Sequence, residues 1–594
     1  MTKTISAIKT FVATYDSDSL ACQNLDNAIE AVCCSEPLKS LLLSLIDSPA
    51  FSKELGKAFA DVGAVEGLSA CRSLRSCLNF SLSRFFGLLA ELISAFDQAA
   101  GAEWYAFANR VHPSELGEHK LLERLVHSQL GAFYQDLAAR LVEENPHAVY
   151  PTSSYRESRG YVESTGDDQT IEAVMRSSTF TSIKLIDNVL DPEQLILRDT
   201  YVSFGRCVCL VDQNVERYYG EQVEHYFHYH GIHLEKLVYR AMEVDKGIST
   251  VERMLGDLKH LGVSRNEPVL IMGGGVLADT AGLACALYHR NTPYVMLSTS
   301  IVAGIDAGPS PRTCCDGFGY KNLFGAYHPP VLSITDRFFF KTLREGWLRH
   351  GIIEIIKMAV VKDADLFRDL EKAGPALITT SFGTINCEPE DPINALSQKI
   401  LGAALRSYVA AEYDNLYETH QCRPHAYGHT WSPGFEIEAG LLHGHAVSIG
   451  MGFGAYLSYR MNWISEEACH RILRLISAFG LSLWHDILLK KGTLWASQEK
   501  IFQKRGQNLA APLPKGEIGK CAYLNMLTRD QLYKAIDEYQ AICADYPRQG
   551  LGIDPLCSDV GLEDPSTVGH SLAEAVASHQ SAHGGEPVEA LSAV

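Results

Sequence analysis

An apolar run, Val269-Leu-Ile-Met272, passes directly into Gly273-Gly-Gly275 and on to Val-Leu-Ala-Asp279. Such a run predicts a buried strand. Three glycines at its end predict a tight turn whose backbone N–H groups can approach an anion at the start of the next helix. Taken alone, the pattern fits a purely structural strand-to-helix turn as well. Two further runs, Cys207-Val-Cys-Leu-Val211 and Val295-Met-Leu297, also read as buried strands, with helical segments between them. Alternation of this kind from about 170 to 345 predicts a parallel α/β sheet.

The chain has 594 residues, too many for one compact domain. Five segments are predicted: a helical extension over 1–150, a linker over 151–175, a Rossmann-like α/β domain over 176–345, a helical domain over 346–548 and a disordered tail over 549–594. The extension rests on helical spacing of Phe85, Leu88, Leu89, Leu92 and Phe96, and of Leu122, Leu125, Val126, Leu130, Phe133, Leu137 and Leu141. The linker rests on Ser, Thr and Gly enrichment, and the tail on scarce aromatics among Ser, Ala, Gly, Pro and His.

Charge narrows the choice of partners. The 71 acidic residues outnumber the 52 basic ones, giving −19 with no basic stripe, so neither nucleic acid nor an anionic membrane is an expected partner. An anionic substrate must then be met by locally placed cations. Sixteen cysteines without a CxxC pair predict reduced thiols and a cytoplasmic protein. No apolar run reaches the roughly 18 residues that a membrane span needs.

Chemistry-bearing residues gather in two places. In the helical half, Glu354 and Lys357 are three apart and share one helix face. His429 and His443 are too far apart in sequence for one helical face and suit an element end and the start of the next helix. One carboxylate and two imidazoles are a common ligand set for a catalytic divalent cation. In the α/β half, Asp212 follows the strand Cys207–Val211, where a carboxylate can accept hydrogen bonds from a ribose. Asp279 lies one turn into a helix, where a structural capping role is the default reading. Glu243 and Lys246, taken alone, read as a solvated charge cluster.

These residues, in this order, resemble the sugar phosphate cyclase superfamily, whose best-known member is dehydroquinate synthase. The resemblance covers about 200–525. It rests on eight short motifs in register: Asp212-x-Asn214, Glu243-x-x-Lys246, Gly273-Gly-Gly-Val-Leu-Ala-Asp279, Thr299-Ser300, Lys321-Asn322, Glu354-x-x-Lys357, Gly428-His429-Thr430 and His443-Gly. It implies an N-terminal NAD-binding α/β domain, an all-α metal-binding domain, an active site in the cleft and a homodimer. By position, Glu354, His429 and His443 resemble ligands of Zn2+ or another divalent cation such as Co2+. Asp212, Asn214, Glu243, Lys246, Gly274, Gly275, Asp279, Thr299, Ser300 and Thr342 resemble NAD contacts. Asp306, Arg312, Lys321, Asn322 and Lys357 resemble substrate-side residues. Arg290 matches an arginine that reaches a substrate phosphate, often across the dimer interface.

Several positions depart from dehydroquinate synthase. Pro433 stands where that enzyme has a histidine four residues after the metal ligand, and proline cannot move a proton. Arg312, in Asp306-Ala-Gly-Pro-Ser-Pro-Arg312-Thr-Cys-Cys, stands where lysine is expected, which keeps the charge and changes its geometry. The HGE triplet is His443-Gly-His445. These features resemble the branch that cyclises sedoheptulose 7-phosphate, which includes desmethyl-4-deoxygadusol synthases and 2-epi-5-epi-valiolone synthases. Valiolone-type enzymes carry an aspartate where this chain has Ala426, and a later histidine near Arg505–Asn508 where none is seen. The resemblance therefore implies the gadusol precursor, a component of mycosporine biosynthesis. The valiolone-type product and a metal-dependent polyol dehydrogenase are the alternatives.

Overall fold

The computed structural model describes Ala102 and residues 156–560, except 165, 167, 168, 170, 319, 418–422, 437 and 505–508. The predicted helical extension (Ala102 aside), the tail beyond 560 and the segment 505–508 thus lie outside the described residues. Two antiparallel strands, β1 (Arg156–Ser164) and β2 (Ile171–Thr179), run through the stretch predicted as a linker. Their hydroxyl-rich composition suits an exposed ribbon, which has no core face to betray it in sequence.

The α/β half follows in chain order. Strands β3 (Ser182–Leu185), β4 (Arg206–Asp212), β5 (His233–Tyr239), β6 (Val269–Gly273) and β7 (Tyr294–Ser298) precede a hairpin, β8 (Arg312–Gly317) with β9 (Tyr320–Tyr327), and then β10 (Leu332–Thr335). Six of them form one parallel sheet in the order β3-β10-β7-β6-β4-β5. Helices α1 (Ile196–Tyr201), α2 (Gln213–Tyr229), α3 (Ile248–His260) and α4 (Gly275–Leu287) cover it.

The predicted central strands read as continuous apolar runs because both sheet faces are covered. Period-two geometry sorts their side chains between two cores: Val208, Leu210, Ile271 and Met296 on one side, and Cys207, Cys209, Leu270, Met272 and Leu297 on the other. From β4 the chain crosses to β5 on one side and returns to β6 on the other. The carboxyl ends of β4 and β6 therefore flank a topological switch point, the usual place for a nucleotide in such a sheet. The backbones are close here: a Cβ on Gly273 would lie 3.4 Å from Asp212 Cβ and 2.8 Å from Leu277 Cδ2.

The second half contains α5 (Glu345–Val361), α6 (Ala364–Ala373), α7 (Ala376–Thr379), α8 (Pro392–Tyr413), α9 (His443–Arg460), α10 (Glu466–Ala478), α11 (Lys491–Lys504) and α12 (Arg529–Cys543). A short antiparallel pair, β11 (Ala511–Pro514) with β12 (Cys521–Leu524), is set among them. Helix α5 is buried on every side from Gly351 to Val361. Ile352, Ile353, Ile355 and Ile356 are all fully buried, each contributing about 1.5–3 kcal/mol relative to an exposed side chain. Glu354 and Lys357 are embedded in that apolar helix. Among the described residues, no helix is long and apolar enough to cross a membrane.

Helix α9 packs against the turn that carries His429 through glycine-to-glycine contact. Gly428 has φ +85°, and a Cβ on Gly450 would lie 2.2 Å from Gly428 O. Gly450→Ala must push the helix and the turn apart. We expect a loss of about 1–3 kcal/mol, measured as a lowered thermal midpoint, together with weaker retention of divalent metal.

Candidate active site

Glu354, His429 and His443 converge from three elements. Glu354 is on α5, His429 lies just beyond a 3-10 turn at Pro424–Ala426, and His443 is the first residue of α9. Glu354 Oε1 is 3.9 Å from His429 Nε2 and 3.8 Å from His443 Nε2. The three ligand atoms lie within 4.8 Å of one another. Glu354 Oε1 is buried and has no hydrogen-bond partner, an arrangement that costs free energy unless something else satisfies it.

The opposite edge of each imidazole is already engaged. His443 Nδ1 lies 2.9 Å from Glu436 Oε2, and His429 Nδ1 lies 3.2 Å from Tyr427 O. Nδ1–H donation on both rings leaves both Nε2 lone pairs facing the orphaned carboxylate oxygen. This donor set fits one divalent cation, with outer partners that fix tautomer and ring orientation.

Lys357 lies beside this cluster, ion-paired to Glu354 Oε2 and 3.3 Å from Asp306 Oδ2. Asp306 comes from a π-helical turn, Ala303–Ala307, in the α/β half. Burial, the largest single influence, would raise the Asp306 carboxyl, but the Lys357 charge, a hydrogen bond from Tyr408 and the His425 and His429 imidazoles together outweigh it and hold the group well below the usual carboxylate range.

A second group of charges lines the α/β side. Lys246 Nζ is 2.7 Å from Asp279 Oδ2 and 2.7 Å from Asn322 Oδ1. Asn322 lies on β9 with φ +53°, and its backbone N–H donates to Asp316 Oδ1 at 2.6 Å. Lys321, its neighbour, is 2.8 Å from Glu243 and 3.4 Å from Glu436. Burial would raise Glu243, but Lys321 and Lys246 together hold it below the ordinary range. The cluster reading of Glu243 and Lys246 thus describes part of the geometry, although the charges face inward.

The nucleotide candidates follow the carboxyl edge of the sheet. Gly274 precedes α4 with no side-chain cap on that helix. Its first N–H groups suit a pyrophosphate at the switch point, which is what a bound dinucleotide needs. Asp212 Oδ1 caps α2 by accepting from Asn214 N at 2.8 Å and Val215 N at 3.3 Å. Thr299 N–H donates to Gly273 O at 3.1 Å, and Ser300 Oγ accepts from Ala303 N at 3.2 Å. Thr342 bonds Tyr219 on α2, at 3.1 Å.

Arg290 is set apart. It lies past the far end of α4, whose 13 residues span about 20 Å at the normal helical rise. Arg312 begins β8 and ion-pairs Glu412 of α8. His445, from the altered HGE triplet, is a fully buried core residue bonded to Ser482 Oγ at 2.9 Å.

Glu436 is a candidate site residue missing from the sequence prediction, placed between Lys321 and His443. Burial would raise its carboxyl, but Lys321 and His443 outweigh that and lower it strongly. It stands midway between His429 and His443 in sequence, a weak signal that becomes legible only when the loop is folded. We expect Glu436→Gln to weaken divalent-metal affinity about 10- to 100-fold, read by competitive Zn2+ titration. Unchanged affinity would remove Glu436 from the site.

Residues 236–350 match the family described as 3-dehydroquinate synthase N-terminal, and residues 351–500 match 3-dehydroquinate synthase C-terminal. Demethyl-4-deoxygadusol synthase of Trichormus variabilis is 38% identical over 371 residues, covering 62% of this chain and 90% of that protein. A 2-epi-5-epi-valiolone synthase of an Actinoplanes species is 36% identical over 331 residues, covering 55% of this chain and 81% of its own length. The solved structure of 2-epi-5-epi-valiolone synthase from Streptomyces hygroscopicus subsp. jinggangensis, with NAD+ and Zn2+ bound, has a TM-score of 0.57 and 30% identity. It covers 61% of this chain and 98% of that one.

Proposed function

This chain belongs to the dehydroquinate synthase-like sugar phosphate cyclases, and we propose that it converts sedoheptulose 7-phosphate into desmethyl-4-deoxygadusol with release of phosphate and water. The relative at 38% identity supports this reading. The observation that carries the choice of product is Ala426, buried in the 3-10 turn three residues before His429. No carboxylate projects from that position. A valiolone-type product remains the second reading, favoured by the 36% identical relative.

Bound NAD+ supplies a hydride acceptor that ends the cycle unchanged, and a divalent cation held by Glu354, His429 and His443 supplies Lewis-acid polarisation of substrate oxygens. The chain's own residues do the rest. Lys321 and Arg312 each hold a cation at the cleft, with acidic partners that orient them toward an anionic substrate. Lys357, between Asp306 and Glu354, keeps a fixed positive charge where negative charge develops during elimination and ring closure. Departing phosphate takes the proton lost in β-elimination, so Pro433 in place of a histidine is no obstacle. Intramolecular aldol closure and loss of water then yield a conjugated enolone.

The working form on this reading is a cytoplasmic homodimer. Arg290, remote from its own cleft, would serve the substrate phosphate of the second copy.

Purified protein incubated with sedoheptulose 7-phosphate, NAD+ and Zn2+ should release phosphate, form a new ultraviolet chromophore and accumulate no net NADH. Phosphate release without a chromophore would assign the valiolone-type product. Net NADH would assign a dehydrogenase. Ala426→Asp should shift part of the product toward the non-dehydrated cyclitol, resolved by mass.

A further inference from the structure

Lys321 and Asn322 are consecutive on β9, yet their side chains meet the same short turn. Lys321 Nζ lies 2.8 Å from Glu243 Oε1, and Lys246 Nζ donates to Asn322 Oδ1 at 2.7 Å. Glu243 opens the 3-10 turn Glu243–Asp245, and Lys246 follows it directly. In a regular strand two successive side chains point to opposite faces, so only one of them could reach that turn. Asn322 breaks the alternation with φ +53°, a conformation that asparagine tolerates better than most residues.

Asp316, on the facing strand, supports that conformation. The hairpin pairs Cys315 with Phe324 and Gly317 with Tyr320, so Lys321, Asn322 and Leu323 of β9 all stand opposite the single Asp316. Such a bulge re-aims side chains and leaves backbone groups outside the ladder. Asp316 Oδ1 accepts the Asn322 N–H at 2.6 Å, and the Asp316 N–H donates to Lys246 O at 2.6 Å. A parallel bridge also joins Asp316 to Gly247. One residue therefore fastens the turn of Glu243 and Lys246 to the backbone of Asn322. Asp316 is 7% exposed, and its Oδ2 is buried with no hydrogen-bond partner. Glu243 and Lys246 of the turn, Lys321 of β9, and the Cys314 and Cys315 thiols of its own strand surround it. Burial, the largest influence, and Glu243 raise the carboxyl to about 6 against the Asn322 N–H and the two lysines. The group is mainly ionised at neutral pH and becomes neutral as pH falls through that value.

We propose that Asp316 is a positioning residue, which fixes the spacing of Lys246, Lys321 and Asn322, the residues read above as cofactor and substrate contacts. Its bond to Asn322 is charge-assisted, and such bonds are stronger than neutral ones. Protonation removes that assistance and loosens Asn322, then Lys246 through the side-chain bond and Lys321 through the shared backbone. Asp316 does not need to touch the substrate.

The inference rests on the sugar phosphate reading of the site, and the test separates the two. Asp316→Ala removes the acceptor, whereas Asp316→Asn keeps its size and an acceptor oxygen but cannot ionise. Both full-length variants would be compared with wild type in steady-state kinetics with sedoheptulose 7-phosphate, NAD+ and Zn2+, alongside thermal midpoint. Asp316→Ala should lower kcat/KM about tenfold or more at neutral pH, and Asp316→Asn should recover part of that loss. The wild-type fall in kcat/KM as pH drops through about 6 should be absent from Asp316→Asn. Amide exchange, read by mass spectrometry on peptides spanning Asn322, follows the bond without any substrate, and protection in wild type should be lost in Asp316→Ala. Wild-type protein that does not turn over the sugar phosphate would remove the substrate reading, and exchange would then still decide whether Asp316 holds Asn322. Equal protection in wild type and Asp316→Ala would overturn the positioning role. So would wild-type turnover with an unaltered kcat/KM in Asp316→Ala, or an unchanged acid limb in Asp316→Asn. A lowered thermal midpoint with wild-type kinetics would mark Asp316 as structural and overturn it equally.

Discussion

A single buried ammonium makes the active-site geometry possible. Lys357 is 2% exposed and lies between Asp306, from the α/β half, and Glu354, from the core of α5. Burial raises the Glu354 carboxyl even with Lys357 beside it, and without that ammonium the group would be driven further toward its neutral form. A neutral Glu354 is a poor metal ligand. Leaving a buried charge unpaired costs about 3–5 kcal/mol, so Lys357 makes the metal-binding form of Glu354 accessible. It also explains how charges can sit on a helix whose other faces are all apolar.

From that point the acidic character of the chain becomes useful. A net charge of −19 would repel a sugar phosphate if it were evenly spread. In the cleft, however, each cation is held by acids that fix its position: Lys246 by Asp279, Lys321 by Glu243 and Glu436, and Arg312 by Glu412. Glu436 belongs to both systems, since its two oxygens reach Lys321 and the metal-side imidazole of His443. Charge placement at the cleft is therefore coupled to the geometry of the candidate metal ligand His443. A change on the β9 hairpin can be felt by His443 without contacting it.

Much of this was legible in sequence. The buried strands stood out because parallel strands covered on both faces lose their alternation, and the glycine run marked where a strand meets a helix at the switch point. The triad Glu354, His429 and His443 was legible by residue type and order. What sequence could not convey was pairing across long separations. Glu412 and Arg312 are 100 residues apart, and although Arg312 stands in a recognisable segment, nothing in the local context of Glu412 distinguishes it from a surface charge. The β8–β9 hairpin was also missed. Its strands carry site residues, so polar side chains interrupt the apolar pattern from which a strand is recognised. Arg290 shows the opposite limit, since a motif match predicts a role at the substrate while the residue lies past the far end of α4.

The segment after 549 shows how composition can mislead when a strand-like contact is made by backbone alone. Low aromatic content predicted disorder from that point, yet residues 550–560 are ordered against the metal-binding half. Leu442 N–H donates to Pro555 O at 2.9 Å, Cys557 N–H to Gly440 O at 3.0 Å, and Ile553 N–H to Gly480 O at 2.7 Å. Arg349 Nη1 pairs with Asp554 at 2.8 Å. These bonds need no particular side chains, so hydropathy carries no trace of them. Their location matters because Gly440–Leu442 leads directly into His443, the first residue of α9. A ligand at a helix start has no preceding helical turn to hold it. Here the backbone bonds from the C-terminal strap hold that approach on one side, and Gly444, too close to His350 O to admit a Cβ, fixes it on the other. The position of this candidate ligand is thus set by main chain on both sides and by Glu436 at its ring, leaving Nε2 as the polar edge that faces Glu354.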